Sequence, residues 1–173
     1  MLQLPPILWY KEGVDEEPVP PAGRRIMALD MGEKRIGVAL SDETQLIARS
    51  YEVLPRTSRR ADFARLAEIA AQENVGFLVV GLPLELNGTE GPLVPWIRDY
   101  AAALAAALHL PHTFWDETFT SQQASASLRA RGVTAREQRG RLDAVAAAFI
   151  LQDYLDARRG GLAPLPPASD ETR

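Results

Sequence analysis

The stretch IMALDMGEKRIGVALSD, Ile26–Asp42, decides the fold. Its run Ile26, Met27, Ala28, Leu29 reads as a buried strand, and Asp30 stands at the strand's end with no basic residue beside it. Met31-Gly32 turns the chain, and Ile36, Val38 and Leu40 then alternate with Gly37, Ala39 and Ser41 as a second strand. A carboxylate at the end of a core strand is costly to bury unless a metal ion, a backbone amide or an arginine neutralises it. Taken alone, a strand-end aspartate such as Asp30 is more often an ordinary turn or cap residue.

Outward from this stretch, Ile47–Leu54 supplies a third, more polar strand that ends at Pro55. Ser58 suits the N-cap of a helix whose apolar stripe is Phe63, Leu66, Ala67, Ile69 and Ala70, ending near Asn74. Gly76–Pro83 is a continuous apolar run, the pattern of a central parallel strand. The polar loop Glu85–Gly91 leads to an alanine- and leucine-rich helix from about Pro92 to Leu108. His112–Trp115 is a short strand running into Asp116-Glu117. Thr120 with Gln123, and Thr134 with Glu137, are capping boxes for a short helix ending at Gly132 and for the last helix. That last helix carries Asp143 just before Ala144–Leu151, which is apolar on nearly every side and must be enclosed.

Three strands that can form a meander, followed by alternating helices and strands, predict an α/β domain built on one five-stranded mixed sheet. The first three strands are antiparallel, and strands 1, 4 and 5 are parallel because crossover helices separate them. Parallel strands end on one edge, where open α/β sheets bind their ligands, so Asp30 and Asp116/Glu117 would face a common crevice. The domain runs over residues 24–159. Residues 1–23, with five prolines and an acidic run, read as a flexible lead-in, and residues 160–173 as a flexible C-terminal tail.

With no cysteine, disulfides, thiolate metal sites and cysteine nucleophiles are excluded. Two histidines, His109 and His112, flank Leu110-Pro111 and are too few for a histidine zinc site. No apolar run approaches the ~20 residues of a membrane span, and the N-terminus lacks the features of a signal peptide; the expected location is cytoplasmic. The net charge of −4 hides a regional contrast. Acidic residues crowd the two termini, while arginines bunch at Arg56, Arg59 and Arg60 and again at Arg129, Arg131, Arg136, Arg139 and Arg141, a distribution that mildly favours nucleic acid.

Acidic groups held close together repel, and persist only with protons or cations between them. Magnesium suits such a site, taking oxygen ligands from one or two carboxylates plus substrate phosphates. Two such ions about 4 Å apart can activate water and stabilise the leaving oxygen of a phosphodiester. Lys34 and Arg35, after Asp30, and the arginines from Arg129 to Arg141, on the approach to Asp143, fit as phosphate contacts. Each piece also has a plainer reading. Asp116-Glu117 suits a solvated corner, Asp143 could pair with Arg139, and the arginines could line a solvated helix face.

The segments DMGEKRIGVALSD, VVGLPLELNGTEGP (Val79–Pro92), WDETFTSQQA (Trp115–Ala124) and RLDAVAAAFILQDYL (Arg141–Leu155) resemble, in order, the signatures of the YqgF/RuvX family of Holliday-junction-resolvase-like nucleases. The resemblance covers essentially the whole domain. It implies a ribonuclease H-like fold with helices on both faces of the sheet, and Asp30, Glu117 and Asp143 as catalytic acids binding Mg2+ or Mn2+, in a two-metal site. It implies a supporting role for Asp116, and a substrate-proximal place for Lys34, Arg35 and the loop holding Gly81, Asn87 and Gly88. Thr118 and Phe119 depart from it, standing where the family usually has arginine and leucine.

The resemblance implies a nuclease maturing the 5′ end of precursor 16S rRNA. Resolution of branched DNA junctions is the alternative, and would need a homodimer to pair two active sites. An ATP-binding phosphotransferase, which also opens with Asp-x-Gly, would need a second half-domain and a further glycine-rich loop, and neither is found. A non-catalytic nucleic-acid-binding module would have no need of all three acids. No membrane partner is expected.

Overall fold

The computed structural model describes residues 18–85, 89–117 and 135–160, with backbone alone over 135–141. In chain order the elements are strands β1 (Arg25–Met31), β2 (Arg35–Ser41) and β3 (Ala48–Pro55), helix α1 (Arg59–Gln72), strand β4 (Val75–Leu82), helix α2 (Val94–Leu108), strand β5 (His112–Asp116) and helix α3 (Ala135–Gly160). They form one five-stranded sheet in the order β3-β2-β1-β4-β5. β1–β2 and β2–β3 are antiparallel, and β1–β4 and β4–β5 are parallel. This is the mixed sheet that the strand and helix pattern predicts.

Alternation along the strands sorts the core into two layers. Met27, Leu29, Ile36, Val38, Leu78 and Val80 face one side, against Leu66 and Ile69 of α1 and Ile97, Tyr100 and Leu104 of α2. Ile26, Ala28, Ala39, Phe77 and Val79 face the other, against Ala147, Ile150, Leu151 and Tyr154 of α3. Helices therefore cover both faces. α3 lies so close to β2 that a Cβ on Gly37 would collide with the backbone of Asp143 and come within 2.9 Å of Ala144 N. The glycine is what lets this helix lie directly on the sheet.

Several edges differ from expectation. Asp30 is inside β1, paired with Gly37, and the turn begins at Gly32, whose N–H donates to Arg35 O at 2.9 Å. β3 begins at Ala48, leaving Ile47 exposed. α2 begins at Val94, capped by Leu93 without a side-chain bond, and Pro95 occupies its first turn. On α1, Ser58 Oγ accepts from Ala61 N at 3.2 Å, as an N-cap should. Ala67 is exposed there, because the buried stripe is Asp62, Leu66, Ile69 and Ala70 and Ala67 falls off it. The expected helix between Thr120 and Gly132, and the capping residues Thr120, Gln123 and Thr134, lie outside the described residues.

Candidate functional site

The alternation that builds the two layers also aims the acids. Asp30 is two residues beyond Ala28, so it points to the α3 side of β1, and its cross-strand partner Gly37 is where Asp143 of α3 rests. On β4, Gly81 continues the Phe77, Val79 series on the same side. On β5, Trp115 packs in that layer and Glu117 follows two residues on, its N–H donating to Leu82 O at 3.1 Å. Gly81 lies across from Trp115, and a Cβ there would collide with Glu117 Oε2 and sit 2.7 Å from Ile150 Cδ1. The missing side chain is the space that Glu117 fills. Asp30, Glu117 and Asp143 thus meet at the C-terminal edge of the parallel strands, on one face.

Their electrostatics follow from that crowding. Burial pushes the Asp30 carboxyl up to about 6, with the nearby Asp143 adding to the rise and a hydrogen bond from Glu117 opposing it. Burial pushes Glu117 up to about 8, helped by the charge of Asp30, the hydrogen bond to Asp30 and the charge of Asp116. Glu117 is the better proton holder and donates to Asp30. Asp143 is paired differently: Arg35 Nε lies 2.9 Å from its Oδ2. Among the described residues no three His, Asp or Glu side chains form a ready-made metal cage. The donor set nonetheless fits a hard divalent cation. It is all carboxylate oxygen, its members disfavour one another's charge, and the missing side chains at Gly37 and Gly81 let Asp143 and Glu117 come close to the sheet.

The remaining expected site residues are placed as follows. Asp116 ends β5, exposed, on the opposite side from Glu117. Lys34 and Arg35 are exposed at the β1–β2 turn beside Asp30. Gly81 is in the site, and its loop leaves β4 at Pro83 and returns through a Leu84–Glu90 bridge and a Glu85 N to Thr89 O bond of 2.8 Å. Asn87, Gly88, Arg129 and Arg131 lie outside the described residues. Positions 136, 139 and 141 fall in the two turns of α3 that precede Asp143, where only the backbone is described. Asp143 has Arg35 as a partner, an ion pair between residues far apart in sequence.

A family model described as "RuvX: Holliday junction resolvase" matches residues 24–157. The chain belongs to the RuvX family. Relatives of this RuvX chain carry the name "Putative pre-16S rRNA nuclease". One from Anaeromyxobacter dehalogenans (strain 2CP-1) is 46% identical over 134 residues, covering 78% of this chain and 98% of the relative. Another, from Syntrophus aciditrophicus, is 45% identical over 133 residues, 77% of this chain and 89% of the relative. Among solved structures, Thermus thermophilus RuvC in complex with a Holliday junction substrate superposes with a TM-score of 0.54 at 20% identity, covering 82% of this chain and 99% of the other. At that identity the likeness establishes the shared ribonuclease H-like fold.

Two supporting residues of this RuvX chain, Asp62 and Arg98, escaped the sequence reading, and Arg56, read there with the arginines that favour nucleic acid, is instead bonded within the fold. Arg56 donates through Nη1 to Gly32 O at 3.1 Å and Glu33 O at 2.9 Å, and its guanidinium lies 4.2 Å from the Trp96 ring centre. It ties the β1–β2 turn, and with it Lys34 and Arg35, to α2. Asp62, buried in α1, accepts from Tyr100 Oη at 3.1 Å and Thr57 N at 3.2 Å. Arg98 stacks 4.7 Å from the centre of Phe114 and bonds Glu90 through Nε at 3.0 Å, tethering the return of the Gly81 loop. Their partners are distant in sequence, so no local pattern announces them.

Proposed function

We propose that this chain is a divalent-metal-dependent nuclease that hydrolyses phosphodiester bonds of structured RNA, maturing the 5′ end of precursor 16S rRNA. The observation that carries the reading is the meeting of Asp30, Glu117 and Asp143 on one face, at the edge where α/β sheets bind ligands. The names of relatives more than 40% identical over nearly their whole length support the substrate. Asp30, Glu117 and Asp143 would hold Mg2+ or Mn2+ as a pair of ions. When bound, such ions supply activation of water and stabilisation of the leaving oxygen. Asp116 adds negative potential beside Glu117. Lys34 and Arg35, with the arginines at 129, 131, 136, 139 and 141, take the phosphates of the strand. Asn87 and Gly88 border it from the loop after Gly81. This function places the chain in the cytoplasm. Among the described residues no helix is long and apolar enough to cross a membrane.

Resolution of four-way DNA junctions is the second reading, favoured by the family's description and by a fold shared with a resolvase solved on its junction. It requires a two-fold dimer that presents two sites. The test is cleavage of a precursor 16S 5′ leader, a four-way junction and an unstructured strand, each with Mg2+ or Mn2+. The leader is expected to be cut, and Asp30→Asn to lower the rate by at least about 100-fold with the fold intact. Paired nicks on the junction by a stable dimer, with the leader untouched, would favour the second reading. Normal cutting by Asp30→Asn would remove this site from the chemistry.

A further inference from the structure

Asp143 is held by a basic side chain at the site, and the donor comes from the same turn that leads out of Asp30. Arg35 is the first residue of β2, and its Nε lies 2.9 Å from Asp143 Oδ2. The pair is open to solvent, the Arg35 side chain being 45% exposed and that of Asp143 25%. The sheet holds Arg35 through its main chain, by the Gly32 N to Arg35 O bond and the pairing with Pro55, so the guanidinium can leave without disturbing either strand. The carboxylate cannot retreat so freely, because the Asp143 backbone is pinned over Gly37. A long, mobile cation therefore sits on a fixed acid at the mouth of a cluster that attracts cations.

We propose that Arg35 is a place-holding cation. It neutralises Asp143 while the acids hold no divalent ion, gives up that carboxylate when an ion enters, and is then free to bind a phosphate of the nucleic acid. The inference rests on the metal-binding reading of the three acids. It makes guanidinium and metal ion competitors for one carboxylate. An arginine that merely oriented Asp143 toward the metal would do the reverse and aid metal binding. The sign of the change on removing Arg35 therefore separates the two roles.

Titration of the whole chain with Mn2+ by calorimetry, for wild type, Arg35→Gln and Arg35→Lys, reads that sign without any cleavage. Arg35→Gln is expected to bind Mn2+ about two- to fivefold more tightly, the range for loss of a partly exposed ion-pair competitor. Arg35→Lys should return toward wild type. Binding of leader RNA in saturating Ca2+ should weaken in Arg35→Gln, and its salt dependence should fall by about one phosphate contact. Unchanged or weaker Mn2+ binding by Arg35→Gln would overturn the place-holder and leave the metal site standing. Wild type that binds no Mn2+, or whose binding survives Asp30→Asn, would overturn the metal reading itself and the place-holder with it.

Discussion

At the scale of single residues, Asp30 and Glu117 hold protons more tightly in the folded chain than in the unfolded one, up to about 6 and about 8. For an acid whose folded value is raised, the contribution to stability is present while the group is protonated and is lost as pH rises through the folded value. Burial lowers His112, whose contribution runs the other way and is confined to pH below its ordinary value of 6.5. Asp42, held down to about 2 by the Ile47 and Leu46 amides and Thr44, acts lower still. Among the described residues, the window from pH 6.5 to 8.5 therefore isolates Glu117. In EDTA the chain should lose about 1–2 kcal/mol of stability across it, measured by urea unfolding. Glu117→Gln should flatten the loss, and Mg2+ should reverse it in wild type. The strand pattern makes Asp30 legible in sequence as a buried acid. The Arg35–Asp143 pair is not legible, because it joins positions that only the tertiary fold brings together.

At the scale of elements, two glycines carry the geometry and should fail differently. Gly37 faces the backbone of α3, which cannot shift without moving the helix. Gly37→Ala is therefore expected to cost about 3 kcal/mol or more, at or beyond the usual 1–3 kcal/mol of overpacking, seen as a large fall in Tm. Gly81 faces the ends of two side chains, Glu117 and Ile150, which can move aside. Gly81→Ala should keep most of its stability yet lose most cutting, because Glu117 is displaced from Asp30; similar Tm losses in the two variants would remove the distinction. Sequence marks both glycines as sitting in strand-like runs, but only the packing tells which touches backbone and which touches a carboxylate of the candidate site. Element type was legible because alternation and apolar runs reflect which face is buried. Boundaries at Asp30, Ile47 and Pro92 shifted by a few residues, since hydrogen-bond pairing sets strand ends and capping geometry sets helix starts.

At the scale of the whole molecule, the strand order β3-β2-β1-β4-β5 gathers the parallel ends of β1, β4 and β5 on one edge, and α3 brings Asp143 to it. That topology was legible because crossover helices leave little choice of strand direction. How an acidic chain, with a net charge of −4, engages a polyanion is a separate question of where its charges lie. If Lys34, Arg35 and the arginines from Arg129 to Arg141 border the acidic edge, local attraction outweighs global repulsion within the ~8–10 Å over which salt screens charge. Four to six phosphate contacts on a single strand would give a slope of roughly −3 to −4 in log affinity against log salt. Between 50 and 200 mM salt, leader RNA bound by the Asp30→Asn chain in Ca2+ should therefore lose about a hundredfold in affinity, read by fluorescence anisotropy. Replacing Arg136 and Arg139 together with glutamine should shallow the slope by about 1.4. A flat response in the parent would mean that these arginines face away from the strand, and that the acids meet their substrate without an electrostatic guide.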